Sequence, residues 1–223
     1  MVLDAAEMIG NGMRPGPAGD ALGCRLAAMD EGRRDHLRAA LLLLGLTIGA
    51  TWSAGPDAAD RAIRVVIEAA GGTSEVVDYG RALGRMSVLS VRGIGLAEQV
   101  ADLAQFAAGW PQPQRIIADA AADPESIVLG SGPPEGLDDA MLAVLGMLHQ
   151  FGPLAAEPAM QSGDPFVALA VAGIVGVTAG HSALLPAYAT PAEVGHRIDR
   201  ITARLAFLAG DGTGVPFSGW QRP

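Results

Sequence analysis

No lysine occurs anywhere in this chain; all 15 of its basic residues are arginine. A lysine Schiff base and a P-loop lysine are therefore excluded as chemistry. Cys24 is the sole cysteine, which rules out an intrachain disulfide and a cysteine-based zinc cluster and suits a reducing compartment. Aromatic residues make up 4 % of the chain, too few for a β-sandwich, whose strands call for aromatic and β-branched side chains. No two of His36, His149, His181 and His196 stand four residues apart, and no His-Glu-x-x-His occurs, so no helix-borne metal site is nominated. A Gly-x-Ser-x-Gly elbow is missing as well. The net charge of -9 gives no strong nucleic-acid signal, because binding to a phosphate backbone rests on clustered positive charge. Met1 to Glu7 lack the basic start and apolar core of a secretory signal. The expectation is a cytoplasmic protein or one within an assembled particle.

What the chain has is small apolar residues. Half of its 223 residues are apolar, carried by Ala, Gly, Leu and Val, enough to bury a substantial core and to exclude wholesale disorder. Two start signals organise the C-terminal part: Asp164-Pro165, and Thr190-Pro191-Ala192-Glu193, the second a capping box. They predict a helical hairpin from Asp164 to Gly210, expected to form the centre of the fold. Between Pro165 and Ala192 there is no Asp, Glu, Lys or Arg, as expected of a buried helix. Ala168, Ala172, Gly176 and Gly180 recur every four residues and form a ridge that another backbone could approach closely. Glycine weakens a helix interior, so Gly173, Gly176 and Gly180 imply a close contact that recovers roughly 2–3 kcal/mol. The second helix puts Val194, Ile198, Ile201, Leu205 and Leu208 at helical spacing, with Arg197, Arg200 and Arg204 on another side. That arginine stripe suits an acidic partner or a phosphate backbone, or is a solvated face. The ridge and the stripe are the candidate interaction residues.

Elsewhere the punctuation divides the chain. Residues 1–19, with Gly10, Gly12, Pro15, Gly16, Pro17 and Gly19, read as a flexible arm. A helical lobe over 20–109, a Pro/Gly-rich connection with a short helix over 110–136, a second lobe over 137–210 and a tail over 211–223 follow, together one compact domain. Ala39 to Ala54 is an apolar run preceded by arginines, either a buried core helix or a membrane anchor. Gly71-Gly72 stops a helix begun at Asp57, and Thr73 or Ser74 caps the next. Val88-Leu89-Ser90-Val91 is the best strand candidate. Arg92-Gly93-Ile94-Gly95 lacks the third glycine of a dinucleotide fingerprint. The loop Gly130 to Gly136 follows a strand-like run, but Pro133 and Pro134 remove the N–H donors a phosphate nest needs. The pairs Asp57/Asp60 and Asp138/Asp139 stand at helix starts, which accounts for them without catalysis.

Leu184-Leu185-Pro186-Ala187-Tyr188-Ala189-Thr190, followed by Glu193 and Arg197-Ile198-Asp199-Arg200-Ile201, resembles the helical C-terminal region of phage tail proteins of the DNA-circularisation family. The resemblance spans about 45 of the 223 residues and leaves out the β-rich portion of that family. It implies a tail or baseplate assembly component.

The sequence thus predicts an all-α protein, an irregular bundle of roughly eight helices. It nominates no catalytic, cofactor-binding or metal-ligating residue. The leading expectation is a structural or assembly protein that associates with itself or with other protein subunits as an oligomer. Two alternatives are a small integral membrane protein with Ala39–Ala54 and Phe166–Tyr188 as spans, and a helical enzyme using His181 or His149.

Overall fold

The computed structural model describes residues 15–28, 45, 48–49, 56–111, 115–127, 129 and 134–179. Among them are eight α-helices and no strand. They are α1 (Pro15–Ala27), α2 (Pro56–Ala69), α3 (Ser74–Val91), α4 (Leu96–Ala107), α5 (Ile116–Ala122), α6 (Leu137–Phe151), α7 (Ala156–Gln161) and α8 (Pro165–Ala179). Short 3-10 turns, Pro124–Ser126 and Gly152–Leu154, flank α6, and Gly45, Ile48 and Gly49 are helical too. The all-α expectation holds.

Several ends follow directly from local chemistry. Thr73 caps α3, its Oγ1 accepting from the Val76 N–H at 3.4 Å, and Asp164 caps α8 by accepting from the Val167 N–H at 2.9 Å. At the end of α2, Gly71 takes φ 83° while the Gly72 N–H reaches back to the Ile67 carbonyl at 2.9 Å. Gly93 repeats this at the end of α3, with φ 77° and a bond of 3.0 Å from the Ile94 N–H to the Leu89 carbonyl. Both are Schellman closures, in which glycine supplies the left-handed residue at little steric cost.

The core is one continuous cluster running from Leu22 in α1 to Val175 in α8. Its most enclosed element is α3, where Val76 to Gly80, Ala82 to Gly84, Met86 to Val88 and Ser90 are all buried. This helix packs against α2, α4 and α8. It is held close by glycines. A Cβ on Gly45 would run into the Gly80 carbonyl oxygen and one on Gly49 into that of Gly84, while Gly80 and Gly84 face Ile67 and Ile63 of α2 on the other side. In the same manner α1 lies on α2 through Gly19 and Gly23, where a Cβ would stand 2.5 Å from the Val66 oxygen and 3.1 Å from that of Ala69.

Four expectations need correction. Among the described residues the most enclosed helix is α3, and of the hairpin expected at the centre only α8 is described, residues 180–210 lying outside the described residues. Phe166, Val167, Ala170, Val171, Ile174 and Val175 point into the core, Ala168, Ala172 and Gly176 are half-buried, and Leu169 is 55 % exposed. Lack of charge made α8 compatible with full burial but did not require it. Val88 to Val91 form the last turn of α3, not a strand, and Val88 and Ser90 are buried there with the rest of that helix, packing context overriding β propensity. Ser126 to Leu129 likewise hold no strand among the described residues. Residues 15–19 are helical, not part of an arm: proline is tolerated in the first helical turn, where the N–H has no intrahelical acceptor, and Ala18 and Gly19 are buried. Asp20 therefore lies inside α1.

Candidate functional site

Among the described residues the densest polar constellation is a seam between α2, α3 and α4 built on two arginines one helical turn apart. Arg81 grips Asp60 with Nε at 2.6 Å and Nη2 at 3.2 Å, and its Nη1 donates to Asp78 at 3.0 Å. Arg85 forms the same two-pronged grip on Asp102, with Nε on one carboxylate oxygen and Nη2 at 2.9 Å from the other. Phe106 lies beneath both guanidinium groups, 5.4 Å from Arg81 and 4.7 Å from Arg85, and Trp110 meets Phe106 edge-on at 5.5 Å. These cation–π contacts suit the Arg fork, which stays planar and weakly hydrated.

The side chains of Arg81 and Arg85 are only 18 % and 20 % exposed, so their charges need these partners. Burial works against the charge on Arg81, but hydrogen bonding and attraction from Asp60 and Asp78 outweigh it and hold the guanidinium above its ordinary value. For Arg85 the hydrogen bond to Asp102 is the largest influence, and the shift is again upward. Asp78 is pushed up by burial, which its contact with Arg81 only partly offsets. Such a seam fastens three helices. Asp60, Asp78 and Asp102 each hold an arginine in it.

Beside the seam lies an open cleft of about 390 Å³ lined by Arg64, Glu68, Ser74, Asp78 and Arg81. Its charges satisfy one another, Arg64 Nε donating to Glu68 at 2.8 Å. On the far side of α3, the buried Tyr79 hydroxyl donates to Asp138 in the first turn of α6. Burial, then repulsion from Asp139, raises the Asp138 carboxyl. Ser90 and Thr178 bring their hydroxyl oxygens to 2.9 Å, tying α3 to α8. Gln99 is buried, its Nε2 donating to the Ile94 carbonyl at 2.7 Å while its Oε1 has no partner among the described residues.

No protein family, curated protein or solved structure matches the chain. Its own surfaces are the guide to what it does. Among the described residues no group of three or more His, Cys, Asp or Glu could hold a metal ion, and no helix is long and apolar enough to cross a membrane.

Only three of the interaction residues singled out from sequence, Ala168, Ala172 and Gly176, fall among the described residues. Ala168, Ala172 and Gly176 lie on α8 away from its core-facing side, while Gly180, Arg197, Arg200, Arg204 and His181 lie outside the described residues. Most of Ala39 to Ala54 is outside them too; Gly45, Ile48 and Gly49 of that run are buried. His149 is exposed in the last turn of α6. Asp57, Asp138 and Asp139 do begin helices, as expected, but Asp60 and Asp138 also have distant partners that the sequence reading missed. A signal was there: Asp78, Arg81 and Arg85 are spaced at three and four, so they share one side of the helix.

A second feature concerns the outer surface. Six large apolar side chains are exposed among the described residues, and four of them, Phe151, Leu154, Met160 and Leu169, fall on the successive elements α6, the Gly152–Leu154 turn, α7 and α8. Leu154 is 78 % exposed. These elements pack on one another, so the four residues mark one corner of the bundle.

Proposed function

We propose that this chain is a structural or assembly protein that works by burying its α6–α8 corner against another copy of itself. The observation that carries this reading is the concentration of exposed Phe151, Leu154, Met160 and Leu169 on that corner. Single exposed apolar residues are ordinary; a group of them on neighbouring elements marks an interaction surface. The half-buried small residues Ala168, Ala172 and Gly176 on the outward part of α8 extend the surface and let a partner approach closely. The sequence resemblance of Leu184 to Ile201 to phage tail proteins supports the same class, and a tail or baseplate component is the form of assembly it suggests.

The test is light scattering after size exclusion, across a concentration series, on the wild type and on the double variant Leu154→Asp, Leu169→Asp. Burying an exposed leucine is worth about 1.5–3 kcal/mol, so loss of two should weaken association by about a hundredfold or more. The expected result is a wild-type oligomer and a monomeric variant of unchanged thermal midpoint. A wild type that stays monomeric at every concentration sinks the reading.

A further inference from the structure

The corner has a charge character as well as an apolar one. At the corner the carboxylates are Glu157 and Asp164, while Asp138 and Asp139 stand at the other end of α6 from Phe151, and from Leu137 to Ala179 the chain carries neither arginine nor lysine. Glu157 is exposed on α7 and Asp164 caps α8. The C-terminal pole of α6, beside Phe151, adds the partial negative charge of its last carbonyl groups. A symmetric contact of this corner with itself would set Glu157 and Asp164 of one copy against those of the other, an arrangement that like charges oppose.

The complementary surface is written in the same sequence. Residues 193–208 carry Val194, Ile198, Ile201, Leu205 and Leu208 at helical spacing, with Arg197, Arg200 and Arg204 on another side and no acid after Asp199. An apolar stripe bordered by arginines is the pattern that fits an apolar corner bordered by carboxylates. We propose that the α6–α8 corner of one copy receives the arginine-bearing segment 193–208 of a second copy, in a head-to-tail contact. This inference rests on the assembly reading above. Because donor and acceptor surfaces differ, the contact is heterologous and generates rings or open filaments.

The experiment uses the full chain with single charge reversals, Glu157→Arg on the corner and Arg200→Glu on the segment, analysed by sedimentation velocity separately and as a mixture. Each reversal alone should weaken association by about tenfold or more, and mixing the two should restore a complex, since the reversed corner then meets a reversed segment. Circular dichroism checks each fold; Arg204→Glu replaces Arg200→Glu if that variant loses helical signal. Wild-type association that neither reversal changes overturns this inference and leaves the assembly reading standing. Reversals that lower the thermal midpoint without changing association overturn it too, because the segment then lies on its own chain. A wild type that never associates overturns both.

Discussion

Gly45 is the residue on which a close helix crossing turns. Its missing side chain admits the Gly80 carbonyl, a backbone group that cannot rotate aside, whereas the space a methyl on Gly80 would enter holds the far end of Ile67. The two glycines are therefore not equivalent. Alanine gains about 0.5–1 kcal/mol over glycine in a helix interior, and overpacking costs about 1–3 kcal/mol or more when backbone must move. Gly45→Ala should lose about 1–2 kcal/mol net in urea unfolding, and Gly80→Ala, where a side-chain tip can yield, should lose less. Equal losses would mean that the crossing at Gly45 is looser than described. Such contacts are expected from the sequence along Ala168 to Gly180, a ridge that ends outside the described residues. The described ones lie at Gly19/Gly23 and at Gly45/Gly49 over Gly80/Gly84, because a four-residue repeat gives the spacing of a ridge and not what faces it.

The seam decides how α3 can be both charged and enclosed. A helix carrying Asp78, Arg81 and Arg85 reads as partly solvated, yet each charge meets an opposite one from α2, α3 or α4, and the helix is buried on nearly every side. Exposed pairs contribute little, but the two-pronged Arg85–Asp102 contact is about three-quarters shielded from water. A double-mutant cycle on Arg85→Ala and Asp102→Ala should give a coupling on the order of 1–2 kcal/mol. Arg85→Ala should be the costlier single change, since it also uncovers the face of Phe106. Additive losses would show the pair to be a surface ornament. Helix boundaries were legible wherever a side chain or a glycine made them: Thr73, Gly71, Gly93 and Asp164 each do what their chemistry requires. Val88 to Val91 were not, because β-branched residues at the end of a long helix look the same as a short strand until their neighbours are known.

The composition gave the class of the molecule, an all-α bundle of small residues, but not its centre or its exposed corner, which depend on which faces meet. The same limit applies to the division into lobes at Trp110-Pro111-Gln112-Pro113. Prolines there mark a connection, yet Trp110 packs on Phe106 in α4, and α5 packs against α4 and α6. Core residues on both sides, such as Leu103, Ile117 and Met141, belong to one cluster, and α8 reaches back to α3 through Ser90 and Thr178. A continuous core makes each half the solvent-excluding surface of the other, so neither can open without exposing apolar area on both. Thermal unfolding should accordingly be a single transition, with calorimetric and van't Hoff enthalpies equal when the protein is kept dilute enough to be monomeric. Two separated transitions, one preserving helicity in residues 20–109 and one in 137–210, would show instead that the lobes are independent and that the contacts between α3 and α8 are weaker than their burial implies.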